Sequence, residues 1–296
     1  MALHSILPEK ASPTPPAWWR RYGWPRRFSP KTEHVTPYSR VAYFYDHLMR
    51  HVNYARWARY VISLFELAED GPVQNVLELA CGTGKMMAEL SQAGYSVYGL
   101  DSSYEMVKIA AERLSRLQVA NCRLEEASCP LPPAPCSVWC GDMQNFAVAS
   151  PVDAAICLYD SFNYCMEPEG ARRTLNCVAS AVRCGGLFIF DVCTERNCRK
   201  HFNNYYERDS YQHFSYIRQS YFKPFRKIQI NEFFIINEMN GGPAMYERHE
   251  QRIYSLREIN EMIDARQWSV AGCFDGMSRR SGTEGSDRVH FVLQRR

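Results

Sequence analysis

The segment Val76-Leu77-Glu78-Leu79-Ala80-Cys81-Gly82-Thr83-Gly84-Lys85-Met86 limits the folds open to this chain more than any other. An apolar run with one acid, a turn with two glycines and a helix start together make a strand–turn–helix unit that sets bare backbone against a ligand. Two other cofactor loops share this layout, and single residues exclude both. A phosphate-binding P-loop needs glycine at Leu79 and serine or threonine at Met86; a dinucleotide fingerprint starting at Gly82 needs a third small residue at Met87. What remains is E-x-x-x-G-x-G over Glu78 to Gly84.

The flanking pattern alternates. Val73 to Leu79, Ser96 to Leu100, Val138 to Cys140, Val152 to Leu158 and Leu187 to Val192 read as strands, and Lys85 to Ala93, Tyr104 to Leu117 and Pro168 to Val182 as helices. Strands alternating with helices imply a parallel sheet covered on both faces, hence an α/β fold. A helical period from Tyr38 to Gly71 precedes them. After the fifth strand, Tyr211 to Phe222, Lys227 to Met239 and Met245 to Tyr254 are rich in aromatic and β-branched residues and divided by Pro224 and Gly241-Gly242-Pro243, which predicts three antiparallel strands. A helix capped by Ser255 and the strands Ser269 to Phe274 and Val289 to Gln294 follow, so the antiparallel part, about 200–254, is a lid inserted before the sheet is complete.

Three further segments fall in register with the first. Asp101 ends the second strand, 17 residues after Gly84, where a carboxylate can accept both ribose hydroxyls of a nucleoside. Gly141-Asp142-Met143 follows the third strand; alone, an Asp there is a turn former. Cys157-Leu158-Tyr159-Asp160-Ser161-Phe162-Asn163-Tyr164 closes the fourth strand at the carboxyl edge, where open α/β sheets bind ligands.

Together these segments resemble class I S-adenosylmethionine-dependent methyltransferases, and the small-molecule N-methyltransferase branch in particular, over residues 38–296. The resemblance implies a Rossmann-like seven-stranded sheet with S-adenosylmethionine bound by Tyr45, Glu78, Ala80, Gly82, Gly84, Asp101, Ser102, Met106, Asp142, Met143 and Leu158. Asp101 would be the ribose ligand, Ser102 and Met106 would lie beside the adenine, and Asp142 would meet its amino group. The family has glycine where this chain has Ala80, so the turn is expected to hold a negative φ there.

Candidates for acid–base work are Tyr159, Asp160 and Tyr164 in the fourth segment and His249 in the last lid strand. A carboxylate at Asp160 could orient an ammonium substrate or cap the turn at Ser161. His249, flanked by Arg248 and Glu250, could equally sit in a half-solvated strand with a structural role. Tyr205, Tyr206, Tyr211, Tyr216 and Tyr221 could form a cage for a methylated cation, although such tyrosines more often only stabilise a sheet. An amine acceptor needs no dedicated base if it binds deprotonated, whereas a hydroxyl acceptor asks for one.

At 296 residues with 46% hydrophobic content the chain suits one elaborated domain. Its net charge of +3, from 35 basic and 32 acidic residues, is too balanced for the broad electrostatic footprint of a nucleic-acid binder. The twelve cysteines form no C-x-x-C pair and read as free thiols with no metal bound. With no long apolar span or secretory signal, a soluble cytoplasmic protein is expected. Residues 1–37, with seven prolines and Trp18-Trp19-Arg20-Arg21-Tyr22-Gly23-Trp24-Pro25-Arg26-Arg27, read as an extended arm. The favoured function is methylation of a small-molecule amine. The alternatives are a protein or RNA methyltransferase docking through the arm, and a cofactor-binding regulator without turnover. Oligomeric state is not readable.

Overall fold

A computed structural model of the chain describes residues 32–125, 135–239 and 243–296, with the backbone alone in 118–125. Strand β2 (Asn75–Leu79) holds Val76, Leu77 and Leu79 wholly out of solvent, so neither face is free and it must lie inside a covered sheet. It pairs in parallel with β3 (Ser96–Asp101) and with β5 (Val152–Cys157). Beyond β3 lies β4 (Cys136–Cys140), and beyond β5 lies β6 (Val182–Cys193). Next comes β12 (Arg288–Arg295), antiparallel to both β6 and the edge strand β11 (Trp268–Asp275). The seven-stranded order is β11-β12-β6-β5-β2-β3-β4. From β2 the chain goes out to β4 and comes back to β5, so a crevice opens at the carboxyl ends between β2 and β5.

Helices α3 (Lys85–Gln92), α4 (Tyr104–Glu125) and α5 (Pro168–Ala181) make the crossovers, and α6 (Leu256–Met262) begins with the Ser255–Glu258 capping box. Phe188, Phe190, Phe291 and Trp268 fill one face of the sheet; Leu64, Met86, Met87 and Ile189 fill the other.

The helix expected from Tyr38 onward is broken. A tight turn at Val41–Phe44 runs into α1 (Tyr45–Leu48), the chain opens, and α2 (Tyr54–Leu64) restarts where the Asn53 side chain accepts the Arg56 N–H at 2.9 Å. Asparagine at that point caps a new helix more readily than it continues an old one.

The lid has four strands in place of the expected three: β7 (Tyr205–Tyr211), β8 (Phe214–Lys223), β9 (Ile228–Asn237) and β10 (Met245–Arg252). What reads as one strand from Tyr211 to Phe222 contains a hairpin turn at Gln212-His213, where Gln212 takes a left-handed φ of +53°. Neither residue is a turn former, so periodicity ran through the corner unbroken. A fifth strand, β1 (Glu33–Val35), pairs in parallel with β10. Residues 33–37 therefore belong to the fold and not to the arm. The Trp-Arg decapeptide, the loop at 130–134 and the Gly241-Gly242 turn lie outside the described residues.

Candidate active site

The turn after β2 is built from left-handed residues. Gly82 and Gly84 have φ of +55° and +73°, and Ala80 has +52°. The negative φ expected at Ala80 is thus incorrect: the loop keeps the geometry that glycine would take, and the alanine bears the strain of its Cβ. Gly84 is needed for a second reason, because a Cβ there would stand 3.0 Å from Cβ of Ala110 on α4. Asp101 fastens the turn from across the crevice, its Oδ2 accepting the Gly82 N–H at 2.9 Å and its Oδ1 the Ser103 N–H at 2.8 Å. Burial raises its pKa while these two amides oppose the rise. Each oxygen keeps a lone pair for a further donor.

A cavity of about 650 Å³ opens over this turn, a size that suits a nucleoside-sized ligand. Tyr45, Ala80, Gly82, Asp101, Ser102, Met106, Asp142, Met143 and Tyr164 line it, together with Thr36, Pro37 and Tyr38 from the segment after β1. Nine of the sequence-derived site residues therefore meet on one surface. Three cofactor candidates do not. Gly84 caps α3 behind the loop, Leu158 is buried in the core, and Glu78 lies beneath the turn. Burial, with Asp101 adding to it, pushes the Glu78 pKa well up, and Oε2 has no hydrogen-bond partner among the described residues.

At the inner end Tyr164 and Tyr38 share a hydrogen bond of 2.6 Å between their hydroxyls. Behind Tyr164, at 3.3 Å, stands Nδ1 of His249, whose Nε2 lies 3.0 Å from Oε1 of Glu247. The strand is half-solvated as expected, with Arg248 and Glu250 on its open side, while His249, only 2% exposed, and the fully buried Glu247 face inward. Burial raises the pKa of both tyrosines, which therefore act as neutral hydroxyls.

Tyr159 and Asp160 go elsewhere. Both are left-handed, at φ of +59° and +62°. The Tyr159 ring packs on Trp57, centroids 4.5 Å apart, away from the cavity. Asp160 offers no free carboxylate to an ammonium: Arg288 pairs with it at 2.6 and 3.0 Å and also holds the fully buried Asp191. Nor does its side chain cap the turn at Ser161. Burial pushes its pKa up to about 6 against the pull of Arg288. Asp191 in turn accepts the Tyr159 and Asp160 amides at 2.7 and 3.0 Å, so this carboxylate–guanidinium group shapes the strained corner after β5. The tyrosine series does not converge into a cage, since Tyr216 is stacked on Phe44 and Tyr206 and Tyr211 face solvent. The sequence reading missed Tyr38 and Glu247. A signal for Glu247 existed: Glu247, His249 and Gln251 recur with period two, a polar stripe on what becomes the buried face of β10.

An open sheet of this order, with a glycine turn facing an acid at the next strand end and a lid inserted after the fifth sheet strand, defines a Rossmann-like nucleoside-cofactor enzyme fold. Residues 76–186 match the family described as a methyltransferase domain. YqeM of Bacillus subtilis (strain 168), provisionally named a methyltransferase, is 28% identical over 267 residues, covering 87% of this chain and 97% of that protein. Among solved structures, an S-adenosylmethionine-dependent methyltransferase from Clostridium acetobutylicum ATCC 824 aligns with a TM-score of 0.67 at 21% identity, over 87% of this chain and 98% of that one. The sugar N-methyltransferase KedS8 from Streptoalloteichus sp ATCC 53650 aligns at 0.61 and 18% identity, over 86% and 92%. Residues 76–186 thus carry a methyltransferase domain, within a fold shared with S-adenosylmethionine-dependent methyltransferases.

The cavity fits that cofactor. A Cβ at Gly82 would project toward Tyr45, to 3.9 Å from its ring, so the missing side chain leaves a cradle between turn and tyrosine. The acid at the β3 end supplies acceptors, and Met106 and Met143 supply apolar walls for a base. S-adenosylmethionine brings the electrophilic methyl and its leaving group together, leaving the protein to bind, orient and exclude water.

Proposed function

We propose that this enzyme methylates an amine nitrogen of a small molecule. The observation that carries this reading is the Tyr38–Tyr164 hydroxyl pair in the wall of the cofactor cavity, backed by His249. Two neutral hydroxyls can hold an amine by accepting its N–H bonds. The nitrogen attacks the methyl in line, so alignment is the main demand on the protein. In this reading Asp101 takes the ribose hydroxyls, Asp142 and Met143 read the adenine, Tyr45 covers the cofactor, and Gly82 and Ala80 present the turn's backbone to it. KedS8, a sugar N-methyltransferase of the same fold, is consistent with such an acceptor.

The test is a screen of amino sugars, amino acids and simple alkylamines with methyl-labelled cofactor. The expected product carries label on nitrogen, stable to mild alkali that would hydrolyse a methyl ester. Label found only on protein or RNA, or on oxygen, would overturn the reading; tight cofactor binding with no transfer to any acceptor would favour a regulator.

A further inference from the structure

Glu247 is a hub that only receives. Its Oε1 accepts the Tyr38 N–H at 2.5 Å and its Oε2 the Arg40 and Val41 N–H groups at 3.0 and 3.1 Å. A carboxylate held by three backbone donors has acceptor capacity alone to offer His249, so the ring must present Nε2–H to it across their 3.0 Å contact. That choice fixes the rest. Neutral His249 then has a bare Nδ1, which accepts the Tyr164 O–H; the Tyr164 oxygen accepts the Tyr38 O–H; and the Tyr38 oxygen is left to accept from the cavity. Every donor along the chain points away from the cavity.

We infer that Tyr38, Tyr164 and His249 form a wire that takes a proton from an acceptor ammonium in the cavity, with Glu247 as the positioning residue that orients it to receive. This rests on the amine reading above. An ammonium has no lone pair, and an alkylamine resembling lysine is free base to only about one part in a thousand at neutral pH. One N–H bond of the ammonium breaks and its electron pair stays on nitrogen as the nucleophile. Each tyrosine hydroxyl gains one proton and passes one on, and an Nδ1–H bond forms on His249. The imidazolium returns that proton along the wire to water in the emptied cavity, so one proton is released per methyl transferred. The charged and titratable groups around the wire are Glu247, Arg218 and Asp160 on the lid and turn side, and Tyr45 and Asp101 on the cofactor side. Glu247 contacts the ring directly, whereas Arg218 lies beyond Phe233, 5.7 Å from that ring's centroid.

The experiment reads the histidine tautomer in the full chain labelled with ¹⁵N-histidine, without acceptor or turnover, so its failure is separable from that of the amine reading. The His249 resonances are identified by their loss in His249→Gln, or by their displacement in Tyr164→Phe should the first variant not fold. The wire requires a pyridine-type Nδ1 and a pyrrole-type Nε2 in the neutral ring. Tyr164→Phe should move the Nδ1 resonance and keep the tautomer; Glu247→Gln, with an amide donor in the hub, should lose the single tautomer. A proton on Nδ1 in the neutral ring, or an unchanged tautomer in folded Glu247→Gln, would overturn the inference.

Discussion

At the scale of single residues, the loop after β2 holds two opposite tests of one backbone constraint. Ala80 occupies φ of +52° with a Cβ that the left-handed region penalises. That strain is about 1–2 kcal/mol, against about 0.5–1 kcal/mol of extra chain entropy that glycine loses on folding. Ala80→Gly should therefore stabilise the protein, by about 0.5–1 kcal/mol in urea unfolding, and leave cofactor affinity unchanged. Gly84→Ala should do the reverse. It combines the same backbone penalty at φ of +73° with a Cβ 3.0 Å from Ala110, on α4 and unable to retreat without moving the helix. A loss of about 2–3 kcal/mol, with weaker binding of S-adenosylmethionine in calorimetry, is the expected result. The same positions show what was legible beforehand. The turn's composition announced a ligand loop and, of the acids that line the cavity, Asp101 was placed by its spacing and Asp142 by the family resemblance. The sign of φ at Ala80 was not, because nearby contacts decide whether an alanine accepts strain: Asp101 pins Gly82, and Cys81 donates to the Leu100 carbonyl at 3.0 Å.

At the scale of elements, β12 supplies what the sequence hid most completely. Its Arg288 neutralises Asp160 and Asp191 across two other strand ends, and its His290 lies wholly buried between Trp57 and Tyr60, with ring centroids 5.2 and 5.0 Å away. Nothing in the local sequence around Asp160 reveals that its partner comes 128 positions later. Burial, with Arg288 adding to it, pushes the His290 pKa from 6.5 down to about 3. A base whose folded pKa is depressed supports stability that is complete above its unfolded pKa and lost as pH falls through the window below it. Between pH 7 and 5 the unfolded chain takes up a proton that the native ring refuses, a loss on the order of 2 kcal/mol at this site. Asp160, raised to about 6, works in the opposite direction, but it does so equally in a His290→Phe variant. The difference between wild type and His290→Phe in urea midpoint should therefore change with pH, the variant losing less stability on acidification. Parallel pH curves would mean that the native ring takes up its proton as readily as the unfolded chain does.

At the scale of the whole molecule, the lid and the methyltransferase sheet are joined at the point where chemistry would occur. Glu247 fastens the 38–41 segment to β10, β1 extends the same sheet, and Thr36, Pro37 and Tyr38 then line the cofactor cavity. This wall of the cavity is therefore a continuation of the lid sheet, built by a stretch that the proline pattern reads as part of an extended arm. The proline pattern hides this three-residue strand, because its pairing depends on β10, over two hundred residues away. With residues 36–38 already lining the cavity, the contribution of residues 1–30 divides the two acceptor classes. If the acceptor is a small amine held beneath the lid, deleting residues 1–30 should leave cofactor affinity and turnover on that amine within about twofold, a change below 0.5 kcal/mol. If the Trp-Arg segment docks a macromolecule, the deletion should abolish labelling of protein or RNA while the cofactor still binds, since anchors of that composition carry most of the energy of an interface. A truncated protein that binds S-adenosylmethionine normally and methylates small amines at the full rate would place specificity inside the lid, on the Tyr38–Tyr164–His249 chain.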